Sequence, residues 1–149
     1  MTIFPACELL LGAILKNPVN RPDYYILHEN IVVKQKIGDG AFGDVFIGEL
    51  KKPGGNSVDV AIKMLKGVMT KKERANFMME AKIMRRFNHE NIVNLLGVAV
   101  QEYPVMIVLE LCPNGALDSK LRKNPSIPVQ KLIQYTVDAC RGMVYLSGR

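Results

Sequence analysis

Gly38-Asp39-Gly40-Ala41-Phe42-Gly43-Asp44-Val45, followed downstream by Val60-Ala61-Ile62-Lys63, is the stretch on which the fold of this chain turns. Glycines at 38, 40 and 43 remove Cβ atoms where a backbone must come close to phosphates, and leave amide N–H groups to point at them. What flanks the loop decides its kind. Ahead of it Ile31, Val33, Gln35 and Ile37 alternate with Val32, Lys34 and Lys36, the period of a strand. Behind it Val45 to Leu50 reads as a second strand. A dinucleotide-binding fingerprint needs a helix directly after the loop, and none starts here. No G-x-x-x-x-G-K-[ST] occurs either, so a Walker-type site is excluded. The loop is the tip of a β-hairpin.

Further along, Lys52-Pro53-Gly54-Gly55-Asn56-Ser57 is dense in turn formers, and Val58 to Leu65 resumes β-branched and apolar residues, which predicts an antiparallel meander. Thr70 to Phe87 changes period. Phe77, Ala81, Met84 and Phe87 recur at three and four residues and line one face of a helix. Thr70 with Glu73 makes a capping box at its start, and Arg85 and Arg86 suit its carboxyl end. Lys63 lies among apolar strand residues and needs an anionic partner or a route to solvent. Glu80 borders the inward stripe of the helix, where a carboxylate needs a cation.

Two more apolar runs, Ile92 to Val100 and Val105 to Cys112, flank Gln101-Glu102-Tyr103-Pro104 and predict a fourth and a fifth strand. Pro113-Asn114-Gly115 breaks the pattern. A short helix from Leu117 to Arg122 and a long one from Val129 to Leu146, interrupted at Gly142, follow. At the other end, Ile3 to Leu15 is apolar but holds Pro5 and Glu8 and is too short to span a bilayer, and its first cation, Lys16, comes after it rather than before as a secretory signal requires. Prolines 18 and 22 then disfavour helix in a linker.

Composition narrows the function. With 149 residues, 48% hydrophobic and 23% charged, the chain is of a size and balance for one globular domain. Its formal charge of +6 favours phosphate-bearing or acidic partners. The cations are scattered and not interleaved with aromatics, so no nucleic-acid groove is expected. Cys7, Cys112 and Cys140 are an odd, widely spaced set, and only His28 and His89 could join them, which excludes structural zinc and points to reduced thiols in a cytoplasmic protein.

A glycine-rich hairpin, a Val-Ala-Ile-Lys strand and a helix glutamate, in that order, resemble the amino-terminal lobe of a protein kinase. The resemblance covers residues 31–149 and implies an α+β fold: a five-stranded antiparallel sheet, one helix packed on it, a hinge and the first helices of a large lobe. By that resemblance Lys63 holds the α- and β-phosphates of ATP, Glu80 orients Lys63, Gly38, Asp39, Gly40, Ala41, Phe42 and Gly43 cover the phosphates, and Ile37 just ahead of them also contacts the nucleotide. Val45 and Ala61 roof the adenine. Leu109 is the gatekeeper, Glu110 to Cys112 offer backbone groups to the adenine edge, and Met84, Leu95 and Leu109 form an apolar spine. His89-Glu90-Asn91-Ile92-Val93 resembles the turn that pins the kinase helix to the next strand.

Asn91 to Val98, Pro113-Asn114-Gly115-Ala116-Leu117 and Asp138 to Leu146 are similar to tyrosine kinases, and the Fes/Fer non-receptor group in particular is resembled. In that group a Src-homology-2 domain precedes the kinase. Tyr24 to Ile31 resembles the joining segment, with Leu9 to Val19 as a remnant of the domain's end, so residues 1–30 are expected to be leader and linker. The 149 residues contain no H-R-D and no D-F-G, the motifs that supply the base and the Mg²⁺ ligands. The expectation is an ATP-binding portion of a protein tyrosine kinase, inactive alone, with Mg²⁺ held only in a complete domain. The alternative is a non-catalytic module that modulates a full-length kinase. Expected partners are ATP and either a protein substrate or that kinase.

Overall fold

The structure is a computed structural model, and it describes residues 23–148 except 41, 42, 66, 68 and 69. In chain order the elements are β1 (Ile31–Gly40), β2 (Gly43–Lys51), β3 (Ser57–Leu65), α1 (Lys71–Met84), β4 (Leu95–Ala99), β5 (Met106–Glu110), α2 (Leu117–Lys123) and α3 (Val129–Ser147). The five strands form one sheet in the order β1-β2-β3-β5-β4, antiparallel at every junction. Strands β3 and β4 therefore run the same way with β5 between them. Joining them needs a crossover, and α1 is its helix. The fold class is the α+β one expected from the sequence, a five-stranded antiparallel sheet with helices.

Each face of the sheet has its own core. Val60 and Ile62 of β3 point to one side with Ile31, Leu50, Ala99, Met106 and Val108. On the other side Phe77 and Ala81 of α1 pack on Leu65, Val98, Val105 and Ile107. Phe77 is fully buried. Thr70 caps α1 as its spacing predicts: Oγ1 accepts from the Glu73 amide, and the Glu73 carboxylate accepts from the Thr70 amide at 2.8 Å. Those bonds hold the Glu73 carboxyl below its ordinary range, the backbone bond contributing most.

The structure departs from the simple sequence pattern in four places. The alternation in β1 does not survive, because the register against β2 shifts between Val33 and Lys36 and again between Lys36 and Gly38. Such bulges turn side chains off their face, and among the described positions of this edge strand only Ile31 is buried. Strand β4 begins at Leu95, since Asn91 to Val93 are spent on a turn closed by the Ile92 amide on the His89 carbonyl. Helix α1 ends at Met84, where Arg85 is the C-cap, leaving Phe87 beyond it. Helix α3 runs unbroken through Gly142, which is a packing site: a Cβ there would stand 2.9 Å from the Asn91 carbonyl oxygen. Leu9 to Val19, Ala41 and Phe42 lie outside the described residues.

Candidate functional site

Cross-strand partners in an antiparallel pair share a face, and alternate residues along a strand return to it. Val45 lies opposite Lys63, Ile47 opposite Ala61, Ala61 opposite Leu109, and Leu109 opposite Leu95. Gly38 stands opposite Val45. The register thus gathers Gly38, Val45, Ala61, Lys63, Leu109 and Leu95 on one face of the sheet, the face on which α1 packs.

Lys63 meets Glu80 there. Its Nζ donates to both carboxylate oxygens of Glu80, at 2.7 Å to Oε1 and 2.6 Å to Oε2. The lysine side chain is 15% exposed and the glutamate 34%. Partial burial makes the pair mutually dependent, because an unpaired ammonium among strand residues is costly. Phe77, one turn before Glu80, sets its ring 6.0 Å from Nζ and closes the pair from the core side. Nothing in the sequence pattern assigned Phe77 to the site as well as to the core; its i, i+3 spacing to Glu80 is the signal that places both on adjoining flanks of α1.

The glycine hairpin reaches toward the same face. Its stem closes through the Gly40–Gly43 pair, and the tip, residues 41 and 42, lies outside the described part. A Cβ built on Gly38 meets nothing within 4 Å, so packing within this lobe does not explain glycine there. Lys36 bonds to Asp39 at 2.8 Å and to Asp44 at 2.9 Å, tying the two sides of the stem and holding its own ammonium above its ordinary range through those bonds. Ile37 falls within the second register shift and is half-exposed.

On the opposite flank the Glu110 amide donates to the Asn94 carbonyl at 3.0 Å, and the Asn94 side chain donates to the Glu110 carboxylate at 2.7 Å. Glu110 is thereby tied through its N–H and its side chain to Asn94, the residue just ahead of β4. The exposed Cys112 follows, its carbonyl accepting from the Gly115 amide. The turn after α1 is held from below by α3. Tyr145 Oη accepts from the Asn88 amide at 3.0 Å, and its ring lies 4.8 Å from that of His89. Among the described residues no three His, Cys, Asp or Glu side chains converge as a metal site would require.

Comparison with known proteins places this geometry in context. A family model described as protein tyrosine and serine/threonine kinase matches residues 31–149. Fer-related kinase 1 of Caenorhabditis elegans is 44% identical over 136 residues, covering 91% of this chain and 34% of that protein. The tyrosine-protein kinase Fer of Homo sapiens is 35% identical over 140 residues, covering 93% of this chain and 16% of Fer. The ephrin type-B receptor 1 of Gallus gallus is 43% identical over 118 residues, 78% of this chain and 12% of the receptor. This chain therefore corresponds to a minor part of each of these relatives.

Proposed function

The chain belongs to the protein tyrosine and serine/threonine kinase family, and we propose that it forms the ATP-holding portion of a protein tyrosine kinase. The observation that carries this reading is the bidentate Lys63–Glu80 pair, seated on the sheet face that also bears Gly38, Val45, Ala61 and Leu109. Lys63 bonds the α- and β-phosphates, and Glu80 fixes the ammonium so that its remaining donor capacity faces them. Gly38 to Gly43 cover the phosphates, Ile37 just ahead of them also contacts the nucleotide, and the open space at Gly38 fits a group brought close to the backbone. Val45 and Ala61 roof the adenine, Leu109 is the gatekeeper beside it, and the Glu110 carbonyl and Cys112 amide face its edge.

Transfer to a tyrosine hydroxyl, in this reading, uses a base and Mg²⁺ ligands that the H-R-D and D-F-G segments of a complete domain supply. Residues 1–30 are leader and linker, and 31–149 the partial kinase domain. The protein is cytoplasmic in this reading: Cys112 and Cys140 are free and exposed, and no described helix is long and apolar enough to cross a membrane.

Calorimetric titration with Mg-ATP tests this reading. The expected result is weak, saturable binding that falls at least about tenfold in Lys63→Ala, the loss of one charge-assisted bond to phosphate. Equal binding by both proteins would overturn it.

A further inference from the structure

The chain has five tyrosines, and four of them are engaged in packing. The rings of Tyr24 and Tyr25 lie 4.7 Å apart and pack on the cluster that holds Phe77. Tyr145 accepts from the Asn88 amide, and Tyr135 is half-buried with the Lys120 ammonium 5.8 Å from its ring. Tyr103 differs. It is 72% exposed, on the turn between β4 and β5, where Gln101-Glu102-Tyr103-Pro104 lies outside both strands. A phenol so placed enters the cleft of another enzyme without unfolding the sheet, whereas the other four must first leave their packing.

Beside this phenol stands a cation. Arg74 Nη1 donates to the Tyr103 Oη at 3.3 Å, and the guanidinium lies 5.8 Å from the ring centroid. Arg74 is the fourth residue of α1, and its amide bonds to the Thr70 carbonyl at 3.1 Å, so its backbone is fixed by the capped first turn. Lys71 and Lys72 precede it, and the amino end of the helix adds its own partial positive charge. Two carboxylates oppose them. That of Glu73 is engaged by the Thr70 amide and hydroxyl, and that of Glu102 is exposed to solvent.

We propose that Tyr103 is a phosphorylation site, modified by a protein tyrosine kinase with ATP, and that Arg74 holds the resulting phosphate against the amino end of α1. The phenolic oxygen attacks the γ-phosphorus of ATP, the bond from that phosphorus to the ADP oxygen breaks, and the phenolic proton passes to the carboxylate base of the modifying enzyme. The product carries about two negative charges and three terminal oxygens, which a guanidinium binds more tightly than a neutral phenol. A 3.3 Å contact thereby becomes a charge-assisted pair that joins the turn between β4 and β5 to α1. The modifying enzyme binds the ATP, so the proposal is independent of nucleotide binding by this chain.

Incubation of the full chain with Mg-ATP and a purified protein tyrosine kinase domain, followed by mass-spectrometric mapping, tests the site. Tyr103 is expected to take phosphate at least about tenfold faster than any other tyrosine, and Tyr103→Phe to lose most of the label. Faster labelling of Tyr135 or Tyr24 than of Tyr103 overturns the proposal. The phosphorylated chain then tests the role of Arg74. A protein tyrosine phosphatase should remove the phosphate about threefold faster from Arg74→Ala than from the parent, the size of an exposed charge pair. The second ionisation of the phosphate, followed by its ³¹P resonance, should occur at a pH about 0.5 higher in Arg74→Ala, because the guanidinium favours the dianion. Arg74→Lys, which keeps the charge without the planar fork, should fall between the two. Equal phosphatase rates and equal ionisation in the parent and Arg74→Ala would show a phosphate standing free of α1, and would overturn the part assigned to Arg74.

Discussion

Phe77 and Val144 are both large apolar side chains on helices, yet the first is 0% exposed and the second 71%. Helix α1 lies on a sheet whose register is fixed along β2, β3 and β5, and its apolar stripe has a surface to meet. Helix α3 has a broader stripe. Val129, Ile133, Met143 and Val144 are all exposed, and Gly142 is its one buried position among the described residues. It is held where Gly142 and Tyr145 meet the turn after α1, and it borders an apolar groove of about 540 Å³ with His89. Apolar patterning makes a helix; only a facing surface turns that patterning into stability.

The contrast can be broken by mutation. Phe77→Ala should lower the stability of the lobe by about 4 kcal/mol, the range for emptying a full phenyl site, read by chemical denaturation. Thr70→Ala, which removes half of the capping box, should cost about 1 kcal/mol by the same measurement. Val144→Ser on α3 should change stability by no more than about 0.5 kcal/mol, since its side chain is already in water. A cost near that of Phe77→Ala would mean α3 is packed after all. Lys63→Met sharpens the contrast from within the lobe. Removing Lys63 alone leaves the partly buried Glu80 carboxylate without its cation, so the variant should lose about 2 kcal/mol, less than Phe77→Ala, while losing ATP binding.

The smallest effect is titratable. The Glu73 carboxyl is held below its ordinary value of 4.5 by the Thr70 bonds. Its contribution is present in full above the ordinary value and is lost as pH falls through the lowered one. Glu73→Gln should flatten the stability curve in that acid window and slightly lower the plateau above it, where the ionised carboxylate contributes in full.

Sequence made the sheet lobe legible because its signals are local. Alternation, turn residues and the Thr70–Glu73 box each act within a few positions, and the Gly38 loop, Lys63 and Glu80 stand at spacings that need no tertiary knowledge. What escaped was decided across space. The β1 register shifts depend on pairing with β2, the use of Gly142 depends on Asn91 lying against it, and the placement of Tyr24 against Arg85 depends on Gly97 opening the edge of β4. Phe77 was legible as core but not as the wall of the Lys63–Glu80 pair, because one side chain serves both.

The account turns on one face of the sheet being the nucleotide face. A titration of the ¹⁵N-labelled chain with Mg-ATP, followed amide by amide, tests it most directly. The account predicts that shifts concentrate at Gly38, Val45, Ala61, Lys63, Leu109 and Cys112 and leave α3 unmoved. Shifts concentrated instead along Lys120, Lys123 and Lys131, where general attraction of phosphate to exposed lysines would act, with Lys63 silent, would contradict it.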